Sequence, residues 1–265
     1  MPQRDHQGRR GVPEPAGFRP PARPSFIGAP PSGVLVVHKP VGPTSHDVVQ
    51  ILRRALQTRR VGHTGSLDPM AEGVLVVLVG QALAFQQALQ SHRKRYEATI
   101  RFGLQTDTGD AWGAPLQTAE VPPLDDDRVR GALRSLIGAR EQTPPAFSAV
   151  KHRGRPLYWW ARRGIRIVVP ARRIEITEAE LVERAPDAIR CTIACSSGTY
   201  IRGLAETIAQ QLGTCGHLSR LVRLSVGSWH LEQAWPLEQL RAQPADALRA
   251  LQPFDGIAHA DLARA

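Results

Sequence analysis

Apolar and polar positions along this chain fall into runs that predict strands, helices and turns in alternation. Gly33 to Lys39 reads as a strand, and Ser45 is placed to cap a helix running to about Leu56. A loop rich in Gly and Pro then feeds an apolar strand from Gly73 to Gly80, followed by a helix from about Gln81 to Leu89. Arg95 to Phe102 alternates as a half-buried strand does. Leu104 to Ala119 is a turn-rich loop with Asp107, Gly109, Asp110 and Gly113, and Asp125 to Leu136 has helical spacing. Further strands are expected over Ile165 to Val169, Arg173 to Val182, Ala188 to Ser196 and Leu221 to Trp229. Between the last two, Tyr200 to about Leu212 predicts a helix with Gly213 as its C-cap. No repeat of solenoid period is present, and the mixture predicts an α+β fold. Residues 1–32 stand apart, holding eight of the 22 prolines and little to bury, so a disordered basic arm is expected there. That leaves residues 33–235 as the main domain and 236–265 as a short extension.

The stretch from Val61 to Leu75, Val-Gly-His-Thr-Gly-Ser-Leu-Asp-Pro-Met-Ala-Glu-Gly-Val-Leu, sets one carboxylate, Asp68, in a turn leading straight into an apolar run. Pro69 fixes its own φ and biases Asp68 towards extended backbone. A carboxylate held by backbone geometry is how an enzyme presents a nucleophile. An isolated Leu-Asp-Pro is more often a structural turn. Fifteen patterned residues favour the first reading.

Charge narrows the partner. The net charge of +10 favours a polyanion, nucleic acid before an anionic membrane, although five arginines of the arm, against Asp5 and Glu14, supply part of it. Pro144 to Gly164 interleaves Lys151, His152, Arg153, Arg155, Arg162 and Arg163 with Phe147, Tyr158, Trp159 and Trp160, a pattern suited to phosphates and stacked bases. The competing reading is an exposed basic helix with its aromatics packed inward. Only three lysines occur, Lys39, Lys94 and Lys151, each inside one of the patterned blocks. Three cysteines exclude a disulfide scaffold, and Cys191 and Cys195 sit on one side of an alternating run, as buried thiols do. Cys215 and His217 complete no zinc-ligand spacing. No apolar segment is long enough to span a bilayer, no secretory h-region follows the start, and a cytoplasmic protein is expected.

Gly62-His63-Thr64-Gly65-Ser66-Leu67-Asp68-Pro69, with Ala71 and Gly73-Val74-Leu75, resembles the catalytic motif of TruB-type tRNA pseudouridine synthases. Gly33 to Ser45, Lys94-Arg95-Tyr96, Pro144 to Lys151 with Tyr158 and Ala161-Arg162, and Ser197-Gly198-Thr199-Tyr200-Ile201-Arg202 resemble further blocks of that family in order and spacing. The resemblance implies the pseudouridine synthase fold, a mixed, mostly antiparallel central sheet with flanking helices and an RNA-gripping thumb at about 144–164. It implies isomerisation of the uridine at position 55, in the T-loop of tRNA, without cofactor or metal, by a monomer needing no protein partner.

Asp68 is then the catalytic carboxylate, attacking the sugar carbon or helping to remove a ribose proton; Arg202 pairs with it, and Tyr96 stacks on the extruded uracil. His63 enters the RNA loop, while Lys39, Lys151, Arg153, Arg155, Tyr158, Arg162 and Tyr200 join the RNA-binding set, and Leu224 lines the uracil pocket. Two departures from the family pattern are Phe147, where tyrosine is frequent, and Val222, where arginine is. The extension is too short for the PUA-like module that often follows in this family. Other readings are a guide-RNA-dependent synthase of dyskerin type, a non-catalytic tRNA-folding chaperone, and an acid glycosidase, which needs a second facing carboxylate.

Overall fold

The computed structural model describes residues 31–254. Most of the arm expected at 1–32, and the end of the extension from 255 on, lie outside them. The first half comprises β1 (Gly33–Lys39), α1 (Ser45–Ala55), β2 (Val61–His63), β3 (Glu72–Val79), a 3-10 segment (Gly80–Phe85), α2 (Gln86–Gln90) and β4 (Lys94–Phe102). Next come β5 (Leu104–Thr106), β6 (Pro115–Thr118), α3 (Asp126–Arg134), β7 (Gly138–Gln142), β8 (Lys151–His152), β9 (Arg155–Pro156) and α4 (Leu157–Ala161). The chain continues through β10 (Arg172–Ala185), β11 (Ala188–Cys195), α5 (Ile201–Gln211), β12 (Gly216–Val226) and β13 (Trp229–His230). It closes with β14 (Trp235–Pro236), α6 (Leu237–Ala242) and α7 (Pro244–Arg249).

One mixed sheet organises these elements, in the order β14-β1-β3-β12-β4-β11-β10-β7, with β2 on β3 and β13 on β12. Its pairings are antiparallel except β1 with β14 and β3 with β12. The two parallel pairs at β3–β12, Val222 with Glu72 and Arg223 with Gly73, join two half-sheets of different character. In β1 and β3 nearly every residue is apolar because both faces are covered. Leu35, Val37, Leu75 and Val77 pack on α1, α6 and α7, while Val34, Val36, Val74 and Val76 pack on the other side with Leu89 and Trp229. Leu237, Leu240, Ala247 and Ala250 belong to the first of these cores, so the segment after 235 is built into the body rather than appended to it.

The second half alternates instead. Ile100, Ala98, Ile189, Cys191, Ile193 and Cys195 face a core closed by α3 and α5. The opposite face carries a chain of charges across neighbouring strands: Glu72 on β3, Arg220 on β12, Glu97 on β4, Arg190 on β11 and Glu183 on β10, linked at 2.7, 3.3, 3.2 and 2.7 Å. Cys191, Cys195 and Cys215 are free and buried, and burial pushes the thiols of Cys191 and Cys195 up to about 12 and about 11. No helix among the described residues is long and apolar enough to cross a membrane.

Several local expectations change. Thr44, not Ser45, caps α1, in a reciprocal capping box with Asp47. Ile165 to Val169 forms no strand, because β7 already occupies the edge of β10. The last long strand begins at Gly216 and ends at Val226, and the helix after Gly80 starts as a 3-10 turn. The turn-rich loop contains the hairpin β5–β6.

Candidate active site

Thr64–Ala71 joins β2 to β3 and carries Asp68, and almost every residue in it is tied to another part of the molecule. Thr64 N donates to Val76 O (3.0 Å). The carbonyls of Gly65 and Ser66 accept from Arg223 Nη2 and Nη1 (3.0 and 3.2 Å). Ser45 Oγ accepts from Leu67 N (2.8 Å) and donates to Leu67 O (3.1 Å), which is why this serine leaves the capping to Thr44. Pro69 O accepts from Gly42 N (2.9 Å) and Ala71 O from Lys39 Nζ (2.7 Å). At the exit, Gly73 has φ +111°, and a Cβ there would lie 2.3 Å from Arg223 O, so the junction of the half-sheets admits only glycine. The loop is therefore preformed.

Arg202 enters from the first turn of α5. Its Nε lies 2.8 Å from Asp68 Oδ2, its Nη1 donates to Thr108 O (2.7 Å) and its Nη2 to Phe147 O (2.9 Å). The Arg202 side chain is 4% exposed and that of Asp68 37%, so a sequestered cation holds a carboxylate that still faces solvent. Three committed nitrogens fix the guanidinium as a planar fork, which a lysine could not reproduce. A second carboxylate, Asp110, reaches 3.8 Å from Arg202 Nε but is buried and accepts from Thr108 Oγ1 (2.8 Å) and Trp112 N (3.0 Å).

Tyr96 on β4 faces Arg223 on β12 in register. Burial raises the phenol above its ordinary pKa. Arg223 is 1% exposed and also donates from Nε to Val74 O (2.7 Å), so one guanidinium ties the start of the Asp68 loop to the strand that follows it. Beside it Lys94 Nζ donates to Gln90 O (2.6 Å) and His92 O (2.5 Å), and burial lowers its pKa from 10.5 to about 8.

Asp68, Tyr96, Tyr200 and Arg202 line one cleft of about 640 Å³, together with Lys94, Leu221 and Arg223. The expectation for Leu224 is corrected. Leu221 and Arg223 line the cleft, whereas Leu224, at the irregularity between Arg223 and Ser225, is not among its lining residues. Lys39 is corrected too: it is fully buried, donates to Pro40 O (2.8 Å) and Ala71 O, and cannot reach an RNA. His63 precedes the first lining residue and is half-buried, its Nδ1 accepting from Gly65 N (3.3 Å) and its pKa lowered by burial. Lys151, Arg153, Arg155, Tyr158 and Arg162 stand apart on an exposed hairpin and helix anchored by buried Leu157. Positive φ at Arg153 and Gly154 (47° and 77°) makes the tight β8–β9 turn and sets Arg153 at its tip. There Arg163 and Arg155 flank the Trp159 ring (3.6 and 5.3 Å), and Arg162 lies over Tyr158 (5.5 Å). The sequence reading missed Asp110 and Arg223; alternation from Leu221 would have placed Arg223 on the cleft face.

A model of the TruB family pseudouridylate synthase N-terminal domain matches residues 53–201. Aromatoleum aromaticum tRNA pseudouridine synthase B is 44% identical over 85% of this chain and 73% of its own. The enzyme of that name from Opitutus terrae is 42% identical over 80% of this chain and 88% of its own. Among solved structures, a Cbf5-Nop10-Gar1 complex contains a chain superposing with a TM-score of 0.63 at 28% identity, over 83% of this chain and 60% of that one. The present chain thus spans about three fifths of that structural relative. A family model that takes in the Asp68 loop and more than half of the chain, together with identity at this level, means that the chain belongs to the TruB family of pseudouridylate synthases.

Proposed function

We propose that this protein is a tRNA pseudouridine synthase that isomerises the uridine at position 55, in the T-loop. The observation that carries the reading is the 2.8 Å contact of Asp68 with Arg202 in a cleft that Tyr96 also lines. The target base leaves its stack at a cost of a few kcal/mol, roughly, and enters the cleft. Asp68 attacks the ribose carbon as the bond to N1 breaks, or takes a ribose proton as that bond breaks. The turned uracil then rejoins the same carbon through C5, displacing the carboxylate or with the ribose proton returned, and C5 loses its proton while N1 gains one. Tyr96 stacks on the base, Tyr200 bounds its site, and Arg202 keeps the carboxylate aimed. His63 occupies the vacated space in the RNA loop. Lys151, Arg153, Arg155 and Arg162 meet phosphates of the T-stem, with Tyr158 as a stacking surface. The enzyme acts as a monomer in the cytoplasm, with no cofactor.

The test is incubation of the purified chain with unmodified tRNA, mapping the product by carbodiimide modification. Wild type is expected to convert position 55; Asp68→Asn is expected to convert nothing while binding tRNA with nearly unchanged affinity. The similarity to the Cbf5-Nop10-Gar1 complex favours a second reading, a guide-RNA-dependent synthase. Product only after guide RNA is added would select it, and an Asp68→Asn chain that retains every cellular effect would select a non-catalytic chaperone.

A further inference from the structure

We infer that Gln142 is a positioning residue for the Asp68–Arg202 pair, acting through the first turn of α5; this rests on the function proposed above. Gln142 ends β7, the edge strand, immediately before the thumb. Its Nε2 donates to Tyr200 O (2.9 Å) and its Oε1 accepts from Tyr200 N (2.8 Å). One carboxamide thus satisfies both backbone groups of a single residue, as a neighbouring strand would. Tyr200 is the N-cap of α5, in extended conformation, and contributes no side-chain cap. A helix start without a cap frays. Arg202 is the second residue of that helix, so an unfixed start would swing its guanidinium away from Asp68. Gly203 sits against the same clamp, where a Cβ would come 3.0 Å from Gln142 Nε2.

The same connection holds the arginine a second time. Five residues after Gln142, Phe147 O accepts from Arg202 Nη2, and the intervening Pro144 and Pro145 stiffen the link. The root of the thumb therefore grips α5 at its base through Tyr200 and at the tip of the arginine. A role confined to finishing the sheet edge predicts lost stability alone, whereas positioning predicts a lost rate.

The experiment compares Gln142→Met, similar in length without polar atoms, with wild type in single-turnover conversion of unmodified tRNA. Both forms are also made in an Arg202→Lys background. We expect the rate to fall about 10- to 100-fold, as for a displacement of ~1 Å, while the folded fraction and tRNA affinity hold. In the Arg202→Lys background the same change is expected to cost less than about threefold. An unchanged rate, or an equal loss in both backgrounds, overturns the inference. Gln142→Glu, which keeps the acceptor for Tyr200 N but opposes an oxygen to Tyr200 O, gives the same comparison if the Met variant does not fold. A wild-type chain that leaves tRNA unmodified overturns the proposed function as well; an active wild type with indifferent Gln142 variants overturns this inference alone.

Discussion

Single residues in this site are dominated by buried cations whose hydrogen bonds run to main-chain carbonyls. Lys94 shows what that costs. Taking its ammonium out of water lowers its pKa to about 8 against 10.5 when exposed, so between those values the unfolded chain binds the extra proton. Stability from this group therefore rises with pH through that window. In urea titrations, wild type is expected to gain on Lys94→Met by on the order of 1–2 kcal/mol between about pH 7 and about pH 9.5. Parallel pH profiles for the two proteins would refute the assignment. Lys39, likewise lowered to about 8, makes the same point from beneath the Asp68 loop: a lysine in a patterned block served the loop, not the RNA.

At the scale of elements, the long strands were legible because burial writes different patterns on each half-sheet. Val74 to Val79 is unbroken because both faces are covered, and Ala188 to Cys195 alternates because one face bears the charge chain from Glu72 to Glu183. The Asp68 motif and the Arg202 block could be read for the same reason, as dense local patterns. Gln142, Asp110 and Arg223 could not, since each gains its meaning from a partner far along the chain. Ser45 is the instructive error. As the first helical residue it looked like a cap, but its hydroxyl closes on both backbone groups of Leu67, and Thr44 serves α1. Ser45→Ala should leave that buried N–H and carbonyl unpaired and cost about 1–3 kcal/mol by thermal denaturation, with slower conversion of tRNA. A loss confined to helix content, with the reaction rate intact, would return Ser45 to a capping role.

For the whole molecule, charge decides how the substrate arrives. The arginines of residues 1–30 lie outside the described residues, yet their contribution to a polyanion is predictable from sequence alone. Removing them should flatten the dependence of tRNA affinity on salt between about 50 and about 200 mM and weaken binding most at the low end, because fewer counterions are released. Identical slopes with and without the segment would show that it makes no contact. The described chain also closes on itself: Val34 N donates to Gln252 O (2.9 Å) and Gln252 N to Val34 O (2.8 Å). The first and last parts of the described residues are therefore stitched together beside β1. A short peptide joining residues 34 and 252 there, with a fresh opening cut at the β5–β6 hairpin tip, would yield a permuted molecule with the same core.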